Sequence, residues 1–258
     1  MEIGTRIARA QVAGLGRSRR QIVAGPLTGM LHDQDEWYLS GMVASEPGQP
    51  FDVEEVASNL AIIRQAFAAE DRWLSAELVE EASPGLAKAL EANGMTIVSH
   101  LPLLVVEPPD LVVPELPDGV TVKVVASDAD QQVANAVSAA AYEMDGADFA
   151  YKPDPVDGGA VLVYADDVPV ATAAWTAVAD EVSEIAGVGT IHSHRRRGLG
   201  GIATAYATRK SFELGGATLA WLTPGDDGAD RVYRRLAYTP QATAIHLGDP
   251  GPHLADLR

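Results

Sequence analysis

The chain has no cysteine among its 258 residues, which excludes disulfides, zinc held by thiolates and a thiol nucleophile. Histidine is sparse too, with six copies. Only His192 and His194 stand close together, beside a turn discussed below, and no metal is expected. Basic residues are outnumbered 19 to 36 by acidic ones, giving a formal charge of −17. Nucleic-acid affinity rests on phosphate contacts from a basic face, so no nucleic-acid partner is expected. No apolar run approaches the roughly twenty residues that a spanning helix needs, and the opening MEIGTRIARAQ lacks the apolar core of a signal peptide. A cytoplasmic location without a membrane partner is the expectation. Hydrophobic residues nevertheless make up 47%, enough for one large or two modest cores.

The little basic charge that exists is concentrated. Arg195, Arg196, Arg197, Arg209, Lys210, Arg231, Arg234 and Arg235 fall late in the chain. The first five lie in Ser183 to Leu214, SEIAGVGTIHSHRRRGLGGIATAYATRKSFEL. There a strand from Val182 to Thr190 passes through a turn at Arg195 to Gly200 into a helix, with Ile202, Ala205, Tyr206, Arg209 and Phe212 at helical spacing. Glycines at 198, 200 and 201 remove the Cβ atoms that would keep a ligand from the backbone, and the unpaired amides of a helix start favour an anion. A polyphosphate site is implied. Gly198-x-Gly200-x-x-Ala203 also fits a dinucleotide fingerprint, but six polar residues, His192 to Arg197, precede it. The next strand, Thr218 to Leu222, ends in Thr223-Pro224 without the carboxylate such a site requires. The plain alternative is a glycine-rich turn with solvated charges.

Arg195-x-x-Gly198-x-Gly200 resembles the (Gln/Arg)-x-x-Gly-x-(Gly/Ala) signature of the GNAT-type N-acetyltransferases. The resemblance continues in ADRVYRRLAY, where Ala229, Tyr233, Leu236 and Tyr238 look like the family's A-x-x-x-Y-x-x-L-G-F segment. It spans residues 120 to 247 and implies acetyl-CoA, or another acyl-CoA, as co-substrate. The pantetheine arm would lie along Val188, Gly189 and Thr190, and the pyrophosphate on Arg195, Arg196, Arg197, Gly198, Leu199, Gly200 and Gly201. Asp226 stands where many members have asparagine near the cofactor. Tyr233 takes the position of the acid that protonates the departing thiolate. Glu184 matches the general base of histone acetyltransferase-like members, with Glu181 in reserve. Period-two alternation along the strand puts Glu184 on the side of Val188 and Thr190. The acceptor pocket is expected from Tyr142, Glu143, Asp145, Phe149 and Tyr151, for a small-molecule or peptide amine. Two alternatives stay open: an acyl carrier protein as donor, and an acyl-CoA sensor without turnover.

Earlier in the chain, Thr5 to Val12 reads as a short helix, and a hairpin is expected to turn near His32 to Asp35. Asp52 can cap a helix with an apolar face of Val53, Val56, Leu60, Ile63 and Phe67. A strand at Trp73 to Leu78, a helix at Leu86 to Ala92 stopped by Gly94, and a strand from Ile97 to Val106 follow, with Pro102 suiting a bend or an edge. This helix-strand-helix-strand order recurs in Gly200 to Leu247. Phe67 and Leu74 are spaced like Phe212 and Leu219, and Leu90 with Gly94-Met95 like Tyr233 with Ala237-Tyr238. An internal repeat is inferred. Its first copy lacks the chemistry, with SEPGQPFDVEE in place of the basic turn and Leu90 in place of the tyrosine. The proline- and acid-rich 107–119 reads as a semi-rigid linker. It separates a degenerate GNAT-like domain, 1–106, from a catalytic one, 120–258. The latter is expected to open with a strand at Val120 to Val125, a helix through Val133, Val137 and Ala141, and strands at Ala160 to Ala165 and Val168 to Thr176 joined by Asp166-Asp167. The fold expected is α/β: a mixed twisted sheet flanked by helices, in two tandem GNAT-like halves.

Overall fold

The computed structural model describes residues 2–34, 36–143 and 158–257. It divides into two compact units, Met1–Leu103 with Pro240–Arg258, and Leu104–Thr239.

The first unit runs α1 (Ile3–Leu15), β1 (Arg20–Ala24), β2 (Leu27–Leu31), β3 (Gly41–Ala44), α2 (Val56–Ala69), β4 (Ser75–Val79), α3 (Leu86–Ala92) and β5 (Thr96–Val106), the last leaving the unit after Leu103. Asp52 caps as expected, its carboxylate accepting the Glu54 N–H at 2.9 Å. The first turn, Val53–Glu55, is a 3₁₀ helix, so Val53 falls off the apolar stripe and is 61% exposed. Val56, Leu60, Ile63 and Phe67 are buried against Leu27, Met42, Ala76, Leu78 and Leu90. The tight hairpin is β1–β2, closed at Gly25-Pro26, whereas β2 and β3 pair across a longer connection containing the 3₁₀ turn Trp37–Leu39. Pro102 falls outside Leu104–Val106, the stretch of β5 that pairs in the second unit, so its missing N–H costs no bond there.

The second unit continues with β6 (Val120–Val124), α4 (Asp128–Tyr142), β7 (Gly159–Ala165), β8 (Val168–Trp175), β9 (Val182–Thr190), α5 (Leu199–Glu213), β10 (Leu219–Leu222), α6 (Asp227–Arg235) and β11 (Thr239–Gly248), which passes back into the first unit after Thr239. Its strand order is β5-β10-β9-β8-β7-β6, with β9 and β10 parallel and the other pairs antiparallel. The β7–β8 turn has φ of +50° at Asp166 and +64° at Asp167, the two left-handed residues of a type I′ hairpin. Alternation along β7 separates the two helical layers. Leu162 packs with Ala134 and Val137 of α4, while Val161 and Val163 join the core that holds α5.

Helix α5 is buried on more sides than its expected stripe. Ala203, Ala205 and Ala207 are wholly buried, and Tyr206, Arg209 and Phe212 only partly. Small side chains let the helix axis approach the sheet. The hydroxyls buried with them are satisfied locally: Thr204 donates to Gly200 O at 2.8 Å, and Thr208 donates to Thr204 O at 2.7 Å and meets Tyr238 Oη at 2.7 Å. The proline-rich 107–119 belongs to this unit, with Leu111 and Val113 packed on its core and the Val112 N–H donating to Leu236 O at 3.2 Å.

The repeat extends further than the sequence spacing indicates. The order α1-β1-β2-β3-α2-β4-α3-β5 is the order α4-β7-β8-β9-α5-β10-α6-β11. Strand directions agree, including the parallel pairs β3–β4 and β9–β10. Each unit is completed by the other repeat's last strand: β11 pairs with β4 in the first, and Leu104–Val106 of β5 pair with β10 in the second.

Candidate active site

The site is built where β9 leaves β10. Their parallel ladder covers only Val182–Glu184 against Leu219–Trp221, so from Ile185 to Thr190 the edge of β9 facing β10 is open. On its other edge β9 carries a bulge. Between the pairs Thr172↔Gly189 and Ala174↔Ala186, β8 advances two residues and β9 three, with Gly187 at φ +60°. The extra residue reverses the alternation. Glu184, opposite Thr176, shares a face with Ala186 and Gly189, and Thr190 projects from the other face with Ile185. The expected alignment of Glu184 with Thr190 is corrected by this bulge. A Cβ on Gly189 would lie 2.8 Å from Ala141 Cβ, so Glu184 is on the α4 face. On the α5 face, a Cβ on Gly200 would stand 3.3 Å from Thr190 Oγ1.

Helix α5 starts as a cradle. Gly198 has φ +79° with no heavy atom within 4 Å of where its Cβ would lie, so glycine serves conformation there rather than space. The first bond of the helix runs from the Ile202 N–H to Gly198 O at 3.1 Å, leaving the amides of Leu199, Gly200 and Gly201 ahead of the ladder. Leu199 is a core side chain, so only its amide serves the turn. Gly201 lets α6 approach, since a Cβ there would stand 3.3 Å from Val232 Cγ1. Arg196, Arg197 and Gly198 are exposed beside this helix start.

Arg195 does not face the cradle. Its Nη2 donates to Ala141 O at 2.6 Å and its Nε to Thr190 O at 3.2 Å, with Glu143 Oε1 3.9 Å away. It therefore pins the end of α4 to the end of β9. Beside it, the Tyr142 hydroxyl donates to Val188 O at 3.1 Å. Glu143 ends α4 at φ +56°. Asp145, Phe149 and Tyr151, named for the acceptor pocket, lie outside the described residues.

Tyr233 is 7% exposed. Burial holds its hydroxyl well above the ordinary tyrosine pKa, and the neighbouring Tyr142 and Asp226 add to the shift. It thus keeps its proton through the neutral range. Asp226 caps α6, accepting the Ala229 N–H at 2.7 Å. Glu181 serves a turn instead: its carbonyl accepts the Thr218 and Leu219 N–H groups at 2.8 and 3.2 Å, at the closed end of β9.

The basic cluster is smaller in space than in sequence. Lys210 lies 2.6 Å from Glu213, Arg209 stacks 4.3 Å over Tyr206, and Arg234 lies 2.6 Å from Asp230. Arg209 and Lys210 stand about 15 Å along α5 from its start. His194 meets Ser193 Oγ at 2.9 Å. Among the described residues no group of His, Asp and Glu could hold a metal, and no helix is long and apolar enough to cross a membrane. At the counterpart of the cradle in the first unit, a cavity of about 330 Å³ is lined by Glu46, Asp52 and Glu55, carboxylates that repel an anionic ligand.

Two structural features of the site were not anticipated from the sequence: the bulge at Gly187-Val188 and the Arg195 clamp. A glycine inside a strand pattern was the available signal for the first.

The acetyltransferase (GNAT) family model matches residues 131–238. No curated protein matches the chain. Among solved structures, a GCN5-related N-acetyltransferase from Kribbella flavida is 69% identical, with TM-score 0.91 and 100% of both chains covered. A tandem GNAT protein from the clavulanic acid biosynthesis pathway is 15% identical, with TM-score 0.62 and 89% of this chain and 80% of that one covered. A GCN5-related N-acetyltransferase from Sphaerobacter thermophilus is 16% identical, with TM-score 0.61 and 96% and 94% covered. The last two share the fold alone. The mixed sheets with their flanking helices, the cradle at α5 and the relative that is 69% identical over its full length lead to one conclusion: the chain belongs to the GCN5-related N-acetyltransferase (GNAT) family.

Proposed function

We propose that the protein transfers an acetyl or other acyl group from acyl-CoA to a primary amine by direct attack in a ternary complex, using the second unit. The observation that carries this is the opening between β9 and β10, which begins just after Glu184 and lies beside the amide cradle of α5. The free amides of Leu199, Gly200 and Gly201 suit a pyrophosphate. The unpaired edge of β9 at Val188, Gly189 and Thr190 offers backbone groups to an amide-bearing arm.

The acyl-CoA supplies an activated thioester. Glu184 takes the proton that the amine nitrogen loses as the C–N bond forms. Tyr233 donates its proton to the sulfur as the C–S bond breaks, and regains one from water. General acid–base assistance of this kind contributes about 10²- to 10⁴-fold, and holding the partners in register adds to it. Burial keeps the Tyr233 hydroxyl protonated until the thiolate forms, while making it a weaker acid than a solvated tyrosine.

The direct test is release of free thiol from acetyl-CoA in the presence of a pooled panel of amines. Amine-dependent release is expected. Release only from an acylated carrier protein would replace the donor, and binding of acetyl-CoA without release under any amine would reduce the protein to a sensor.

A further inference from the structure

We infer that Tyr142 gates the donor arm: in the free protein its hydroxyl holds the Val188 carbonyl, and acyl-CoA must displace it to lie along β9. This rests on the acyl-CoA reading above.

Three observations carry it. The Tyr142 hydroxyl donates to Val188 O at 3.1 Å, and Val188 lies in the bulge, within the part of β9 that β10 does not pair. That carbonyl is therefore among the few backbone acceptors an amide-bearing ligand could use. Next, the backbone around Tyr142 is fixed. Arg195 clamps Ala141 O to Thr190 O, and Gly189 lets the helix end settle, since a Cβ there would lie 2.8 Å from Ala141 Cβ and 3.5 Å from Tyr142 Cε2. Finally, the side chain itself is 50% exposed. Swinging it out sacrifices the hydroxyl bond and the partial burial that raises the hydroxyl's pKa, while the Arg195 bonds to Ala141 O and Thr190 O do not involve the ring. The contact is thus a competitor for the ligand's own hydrogen bond, set at the end of α4 by the Arg195 bonds and the close approach at Gly189.

The test compares wild type and Tyr142→Phe by calorimetric titration with two probes: CoA, and 3′-phosphoadenosine 5′-diphosphate, which lacks the pantetheine arm. Loss of one competing hydrogen bond should tighten CoA binding about five-fold and leave the nucleotide unchanged. Equal or weaker CoA binding by the variant overturns the gate. So does an equal change for both probes, which would mark a general packing effect. If wild type binds neither probe, the acyl-CoA reading itself fails, and that result is distinct from the other two.

Discussion

Glu184 and Gly189 project from the same face of β9, and Thr190 from the opposite one, because the bulge at Gly187-Val188 inserts one residue between them. Gly187 is the pivot, at φ +60° with open space where a Cβ would go. Gly187→Ala should therefore cost about 1 kcal/mol of stability through backbone strain alone. It should lower the melting temperature by a few degrees and weaken CoA binding. Calorimetric melting with a CoA titration checks this; a variant unchanged in both would show that the bulge does not depend on glycine.

Tyr233→Phe is expected to lower kcat by about a hundred-fold while the CoA dissociation constant stays within a factor of about two. The pH dependence follows from the direction of its shift. Burial raises the Tyr233 pKa, so the group remains protonated through neutral and mildly alkaline pH. Its own ionisation should then produce no basic limb below about pH 10. Steady-state rates across that range decide the point, and a Phe variant as fast as wild type removes Tyr233 from the chemistry.

Glu184→Gln should abolish the fall in rate at low pH, because a base must be ionised to accept the amine's proton. The comparison is kcat/KM against pH for both proteins on the same amine. A retained acidic limb of the same midpoint would assign it to another group.

Much of this was legible in the sequence, and the reasons are specific. Local signals read well. Asp52 as a cap, Asp166-Asp167 as a turn and Gly198 at a helix start each follow from one residue's conformational chemistry. The spacings of Phe67 and Leu90 exposed the repeat because buried helical positions constrain residue type. What escaped notice depends on pairing between distant segments. The bulge in β9 exists only relative to β8, and the Arg195 clamp needs the end of α4, 54 positions away, beside it. Arg209, Lys210 and Arg234 looked like cradle charges because sequence proximity does not show where along a helix each charge is neutralised.

Removing residues 1–106 should give an aggregating fragment. The deletion takes Leu104–Val106 from beside β10 and leaves β11 without β4, exposing two unpaired strand edges. Size-exclusion chromatography and an activity assay of the fragment check this; a soluble, fully active fragment would contradict the strand exchange as a structural requirement.

The most direct measurement is a calorimetric titration of CoA into wild type and Gly198→Val. Valine cannot readily adopt φ +79°, so the turn that presents the amides of the cradle should be lost. Saturable one-to-one binding to wild type, with none to a variant whose melting curve shows it folded, is the result predicted. The same isotherm from both proteins would contradict the cradle, and with it the acyl-CoA function proposed for this site.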